Sequence, residues 1–214
     1  MRSNLLLVAV LLIGTFQIAL CGPTRVAHAV PDAPAVDVYV NGNIVWKNVS
    51  FTDITKYANL AAGIYQVQLN VAGTSTVVLT TSLSVDSLNP VTVAAVNTLA
   101  TISVDVFHDD NREPSGAKNA AFKFVHLSPD APAVNIQIGN TILFQNVGYL
   151  QETYYLEEPA GKYTLDVVVP GLGTVLTVPV TLQAGQVYTA WAEGLVSTSA
   201  PSETLQAVLS VDLD

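Results

Sequence analysis

Cysteine is almost absent from this chain: there is one, Cys21, alongside three histidines. A lone thiol closes no intrachain disulfide and cannot supply the multi-cysteine ligand sets typical of structural zinc. Charge is scarce as well, at 12% of residues against roughly 25% in typical soluble domains. Lys and Arg number eight against seventeen acids, giving a net charge of −9. The first 21 residues hold one Arg and no acid, so the chain after them carries about −10. An acidic chain with no basic patch is repelled by phosphate backbones, which argues against a nucleic-acid partner. Helical periodicity is missing outside the N-terminus, and no later apolar run approaches the roughly 20 residues of a membrane span. The C-terminus, Ser210-Val211-Asp212-Leu213-Asp214, is acidic and lacks the hydrophobic tail of a lipid-anchor signal. No membrane span is expected in the mature chain.

What is present points to strands. Half of the residues are hydrophobic, with abundant Val and Thr, whose branched side chains suit a pleated surface. Residues 1–21 read as a secretory signal peptide: Arg2, an apolar run from Leu5 to Ile13, then Ala19-Leu20-Cys21 before a cut at Gly22. An uncleaved anchor and a bacterial lipoprotein lipidated on Cys21 are the alternatives. Bulky Leu20 speaks against the second, since that pattern takes a small residue there. A secreted or extracellular location follows, with the cell surface also open.

The most informative feature is an internal repeat. Val26-Ala-His-Ala-Val-Pro-Asp-Ala-Pro-Ala-Val36 matches Phe124-Val-His-Leu-Ser-Pro-Asp-Ala-Pro-Ala-Val134. The offset stays constant to Ala62-Gly63-Ile64-Tyr65 against Ala160-Gly161-Lys162-Tyr163, with about 15 of 38 positions identical. After small shifts, Val91 to Ala94 aligns with Tyr188 to Trp191, and Ile102 to Val106 aligns with Leu209 to Leu213. The organisation expected is a signal peptide (1–21), a first repeat (22–107), a polar linker (108–119) and a second repeat (120–214). Alternating Val36, Val38 and Val40 run into Asn41-Gly42, a strong hairpin signal because both residues tolerate positive φ. Tyr65 to Val71 and Tyr163 to Val169 alternate likewise. Six or seven such strands per unit predict an all-β chain of two tandem immunoglobulin-like or transthyretin-like sandwiches.

The string His-x-x-Pro-Asp-Ala-Pro-Ala-Val, an Asn-Gly hairpin and then Ala-Gly-x-Tyr resembles the domain-of-unknown-function family 4397, over both units. The second unit, His126-Leu127-Ser128-Pro129-Asp130-Ala131-Pro132, is the closer match; the first has Val30 where the family usually has Ser. The resemblance implies a secreted β-sandwich module, often in tandem, and implies no biochemical activity.

Several residues invite a chemical reading. His28 with Asp32, and His126 with Asp130, recur in both units, but a zinc site needs three or four ligands and no third candidate repeats nearby. The simpler reading is a structural bend in which Pro31, Pro34, Pro129 and Pro132 fix φ and each short Asp hydrogen-bonds its own backbone, with the His packed beside the bend. No Gly-x-Ser-x-Gly elbow and no obvious carboxylate pair is present, so no catalytic residues and no cofactor are expected. Asp105, Asp109, Asp110, Asn111 and Glu113 do not follow calcium-loop spacing and read as a solvated hinge. Asn48-Val49-Ser50 is an N-glycosylation sequon that the second unit lacks, because Gly148 replaces the Ser. Trp46 and Trp191 read as core, although exposed aromatics such as Tyr39 or Tyr154 would give a sugar-stacking platform. The function expected is non-enzymatic extracellular recognition or adhesion with an unknown protein or glycan partner. A carbohydrate-binding module is the alternative, and a secreted hydrolase a weaker one.

Overall fold

The computed structural model describes residues 21–86, 89–110 and 112–213. Residues 1–20 of the expected signal segment, and Asn111, lie outside the described residues. The chain is all-β, and its strands build two sandwiches of two four-stranded sheets each. The first repeat holds β1 (Cys21–His28), β2 (Val36–Val40), β3 (Asn43–Val49), β4 (Ala58–Ala61), β5 (Gly63–Val71), β6 (Val77–Val85), β7 (Val91–Val96) and β8 (Ser103–His108). The second holds β9 (Asn119–Leu127), β10 (Val134–Ile138), β11 (Thr141–Val147), β12 (Leu156–Pro159), β13 (Gly161–Val169), β14 (Gly173–Leu182), β15 (Val187–Glu193) and β16 (Gln206–Leu213). Each repeat thus has eight strands among the described residues, where six or seven were expected. The short edge strands β4 and β12, four residues each, carry too little alternation to be read from sequence.

The two repeats share one topology. The outer sheets run β3-β2-β5-β6 and β11-β10-β13-β14; the others run β4-β1-β7-β8 and β12-β9-β15-β16. β1 pairs in parallel with β7, and β9 with β15, while the remaining neighbours are antiparallel. The predicted hairpin forms at Asn41-Gly42, with φ of 48° and 79°, the mirror-image turn that matches strand twist. Inside each sandwich, alternate residues such as Val36, Val38, Val67 and Leu69, or Val134, Ile136, Leu165 and Val167, meet in a dry core.

In the second pair of sheets the central strands, β1, β7, β9 and β15, are buried on both faces. On β15, Tyr188, Ala190 and Ala192 point into their own sandwich, while Trp191 joins Val125 and Leu127 against Ala27, Ala29, Ala94, Val96 and Phe107 of the first repeat. These sheets pack on one another, so β7 and β15 read as near-continuous buried runs, VTVAAV and VYTAWAE, and not as alternation. Trp191 is fully buried, as expected, but at the junction between repeats and not in either sandwich. Its ring meets Phe107 edge-on at 5.7 Å, and its Nε1 donates to Ser210 Oγ at 2.9 Å.

Two sequence expectations need correction. Strand register pairs Thr92 with Phe107 and Thr189 with Ser210, so Asp109, not Asp105, corresponds to Asp212. The error is a shift of four residues; an even shift preserves inside–outside alternation, so the pattern alone could not expose it. The connection between repeats is also no free hinge at its start. Asp109 is buried, and its amide donates to Pro90 O at 2.9 Å. The Asp110 amide donates to Tyr155 Oη at 3.0 Å. Farther along, Ser115 donates to Glu157 through its amide (2.8 Å) and its hydroxyl (2.9 Å).

Because Trp191 fills the junction, Trp191→Ala should destabilise the protein by about 3–5 kcal/mol. Calorimetry should show the loss falling on the junction, with the unfolding of the two repeats separating into two transitions. A single transition shifted by less than about 1 kcal/mol would show that Trp191 does not hold the repeats together.

Candidate functional site

The repeated histidine motif commits its rings to internal bonds. His28 ends β1 with both ring nitrogens engaged. Nε2 lies 3.1 Å from Pro34 O, and Nδ1 accepts from Val30 N at 3.3 Å. His126 does the same with Pro132 O (3.2 Å) and Ser128 N (3.2 Å). This pattern requires the neutral tautomer with its proton on Nε2, so no lone pair is left to bind a metal or take a proton from a substrate. Burial lowers the pKa of both rings below the ordinary histidine value. Each motif aspartate turns away to hold the loop after the neighbouring strand. Asp32 accepts from Leu99 N at 2.7 Å; Asp130 accepts from Val196 N and Ser197 N, both at 2.9 Å, and from the Ser197 hydroxyl. The structure brings each His to its own bend and each Asp to a different loop.

A denser cluster of ionisable groups sits between the repeats. Arg25 on β1 is buried; its Nε donates to Thr92 Oγ1 at 2.7 Å and its Nη1 to Val211 O at 3.0 Å. Nη2 binds Asp212 of the second repeat and lies 3.3 Å from Asp109. Asp109 accepts from Tyr57 Oη at 2.7 Å and Thr92 Oγ1 at 2.6 Å. The same construction recurs at equivalent positions of the second repeat. Asp212 accepts from Tyr155 Oη at 2.8 Å and Thr189 Oγ1 at 2.5 Å. Lys123 replaces Arg25; its Nζ donates to His108 O and Glu152 Oε2, both at 2.6 Å, and stands 3.6 Å from Asp109. Each cation also lies over a tyrosine ring, Arg25 4.6 Å from Tyr57 and Lys123 5.3 Å from Tyr155. Burial opposes charge on Arg25, but Asp109 and Asp212 outweigh it and raise its pKa. Burial and the adjacent aspartates raise both tyrosines well above the ordinary phenol value. These groups balance one another across the junction and present nothing to a substrate.

Sequence reasoning missed this cluster because its members are scattered singly over the chain. One signal was available: the gapless alignment sets Arg25 on Lys123 and Tyr57 on Tyr155. A cation kept within an otherwise apolar strand is a mark of a buried partner.

One carboxyl in the junction has no such balance. Glu193, at the end of β15, is fully buried, and neither of its oxygens has a hydrogen-bond partner. Desolvation, and secondarily Asp53, push its pKa up to about 8, so the protonated form prevails at neutral pH. The equivalent residue of the first repeat is Val96.

The other candidates stand apart. Asp110 pairs with Arg112 at 2.5 Å and Asp105 accepts from the Val106 amide, while Asp109 belongs to the junction, so these acids do not converge. Among the described residues, no group of three or more His, Cys, Asp or Glu side chains is placed to share a metal. Asn48 is exposed on the edge strand β3 with φ of 51°. Trp46 is partly buried, and its Nε1 donates to Lys56 O at 3.1 Å. Tyr39 is half-buried, whereas Tyr154 is 68% exposed. Tyr154 flanks an open groove of about 680 Å³ between β11 and residues 151–154, and it meets Phe144 edge-on at 5.4 Å.

The model of the family described as "Domain of unknown function (DUF4397)" matches residues 23–137 and again 120–213. No curated protein matches the chain. Among solved structures, similarity is found to a family CBM26 carbohydrate-binding module from Eubacterium rectale Amy13K in complex with maltoheptaose. It has 9% identity and a TM-score of 0.30, over 88% of this chain and 96% of that one. A streptococcal virulence factor described by its alpha-glucan binding is similar at 11% identity and a TM-score of 0.25, over 75% of this chain and 88% of that one.

Glu193 gives a pH prediction with a definite sign. Its folded pKa is raised, so between the unfolded value and about 8 the folded state holds more protons than the unfolded one, and stability falls as pH rises. Just above pH 6.5 the unfolded rings of His28 and His126 still hold part of their protons and oppose this slope, so the Glu193 contribution is read as the difference between wild type and Glu193→Gln. Urea melts from pH 6.5 to 8 should lose up to about 1.4 kcal/mol per pH unit. Glu193→Gln should remove that slope, and a slope unchanged in the variant would show that Glu193 is not its source.

The histidines slope the other way. Their folded pKa values are lowered, so stability should fall as pH drops below 6.5 and protons bind the unfolded rings first. His28→Ala or His126→Ala should each cost about 1–3 kcal/mol by stranding a buried amide and a carbonyl, read in the same melts at pH 7.

Proposed function

We propose, from the premise that the chain belongs to the DUF4397 family, that it is an extracellular, non-enzymatic binding module acting in recognition or adhesion at a cell surface or in a matrix. The observation that supports this reading is where the ionisable groups go. The motif histidines and aspartates, and the charged side chains of the junction, are committed to internal bonds. The outer surface instead offers contact features: an exposed aromatic and exposed amides. Such surfaces bind partners by shape and hydrogen bonding and supply no proton-transfer machinery. The signal segment read at residues 1–21 supports an extracellular location, and none of the helices among the described residues is long and apolar enough to cross a membrane. In a eukaryotic source, exposed Asn48 would carry a glycan on the edge of the first repeat.

A carbohydrate-binding module is the second reading, favoured by exposed Tyr154 at the groove of the second repeat. A hydrolase is the weaker third, and the engaged histidine rings speak against it. To test the leading reading, labelled mature chain is incubated with intact source cells, extracellular matrix and fractionated secreted proteins. Saturable retention on at least one is expected. Absence of retention on all three sinks it, and substrate turnover lost in the His28→Ala/His126→Ala double variant, with folding intact, would replace it with the hydrolase.

A further inference from the structure

The two repeats share a backbone, so each serves as a control for the other. Where the second repeat has Phe144, Gln145, Gln151, Glu152 and Tyr154, the first has Trp46, Lys47, Asp53, Ile54 and Lys56. Tyr154 is therefore no requirement of the fold, which forms equally well around Lys56. A ring left 68% exposed forgoes the burial that usually places tyrosine in a core or an interface. Its orientation is nonetheless defined, because Phe144 meets it at 5.4 Å and 80°. The ring flanks the groove of about 680 Å³, within the roughly 300–1,000 Å³ range of small-molecule sites.

The lining specifies the ligand's chemistry. Gln145, Asn146 and Gln151 are exposed amides; the first two can both donate and accept, while Gln151 Oε1 already accepts from the Gly148 amide at 2.8 Å and leaves its NH2 to donate. The groove's carboxylate, Glu152, is already paired with Lys123 at 2.6 Å, so the site offers no free charge to an ionic ligand. The chain's net charge of −9 repels sulfated or sialylated chains. An aromatic face beside neutral amides matches a molecule with one apolar face and a fringe of hydroxyls. We propose that this groove of the second repeat binds an uncharged oligosaccharide, with a sugar ring stacked on Tyr154 and its hydroxyls bonded to Gln145, Asn146 and Gln151. The proposal rests on the binding-module reading and assigns that activity to one repeat only.

The test uses the full mature chain on an array of neutral, sialylated and sulfated oligosaccharides, followed by calorimetric titration with the strongest neutral binder. Binding confined to neutral glycans is expected. Tyr154→Ala should weaken it about tenfold or more, Tyr154→Phe should retain it, and Gln145→Ala should weaken it measurably. Both positions are exposed, so all three variants should stay folded, with at most a small shift in thermal unfolding from the lost Phe144 contact in Tyr154→Ala, and affinity should carry the main change. No binding to any neutral glycan, binding only to acidic ones, or full affinity in Tyr154→Ala overturns the proposal. Retention of wild type and Tyr154→Ala on cells and matrix is measured in parallel. Equal retention without glycan binding refutes the groove and leaves the module reading standing, as does a peptide ligand whose binding survives Tyr154→Ala. Loss of retention by every form, wild type included, refutes both.

Discussion

Arg25 bridging Asp109 and Asp212 is the contact on which the rest of the molecule depends. It ties a strand of the first repeat to the last strand of the second and to the start of the connection between them. The apolar part of the junction is built largely from alanines and valines, with Trp191 and Phe107 as its bulk. Small apolar residues supply area but little direction, because apolar burial is itself non-directional. A buried guanidinium held by two carboxylates has one acceptable position, since displacement would leave charges unpaired in a dry interior. Its contribution is thus mainly to orientation, and the apolar cluster supplies the driving force.

The junction also explains why the repeat is duplicated. Sheets β4-β1-β7-β8 and β12-β9-β15-β16 each need a cover on their second face, and each is the other's cover. Arg25 and Lys123, Tyr57 and Tyr155, Thr92 and Thr189, and Asp109 and Asp212 form a nearly two-fold arrangement within one chain. A self-complementary interface of this kind is what a symmetric dimer would use. Covalent linkage has let the copies diverge: Ala94 stands where the second repeat has Trp191, and Val96 where it has Glu193. The protonated carboxyl of Glu193 is the weak point of the arrangement, a polar group buried without a bond.

Much of this was legible beforehand. The gapless run from His28 to Tyr65, repeated from His126 to Tyr163, identified the two units, their sandwich class and the Asn41-Gly42 turn, because local turn chemistry and period-two alternation are written in adjacent residues. The junction was not, for the same reason. VTVAAV and VYTAWAE look like ordinary strands, and whether their second face meets water or protein depends on residues far away in the chain. Asp109 read as part of a solvated hinge because its neighbours Asp110, Arg112 and Glu113 are polar, while its own partners, Arg25 and Lys123, lie about 84 and 14 positions away. The groove was visible only as an isolated Tyr154, since nothing local shows that a tyrosine is held out of the core.

Duplication and binding are separate matters in this chain. Tandem modules usually gain from repetition through avidity, which requires the same site on each copy and a linker that lets both engage. Neither condition holds here. The groove residues of the second repeat are replaced by Lys47, Asp53, Ile54 and Lys56 in the first, and the connection is fastened at Asp109, Asp110 and Ser115. The first repeat is then best understood as the structural partner that keeps the inner sheet of the second dry. The groove lies beside the junction, since its Glu152 pairs with Lys123, while Tyr154 and Gln145 project from it exposed and can change without loss of the junction's own contacts. On this view selection for a ligand acts on one repeat while selection for stability acts on both, which accounts for a bend motif kept twice and an exposed aromatic present once.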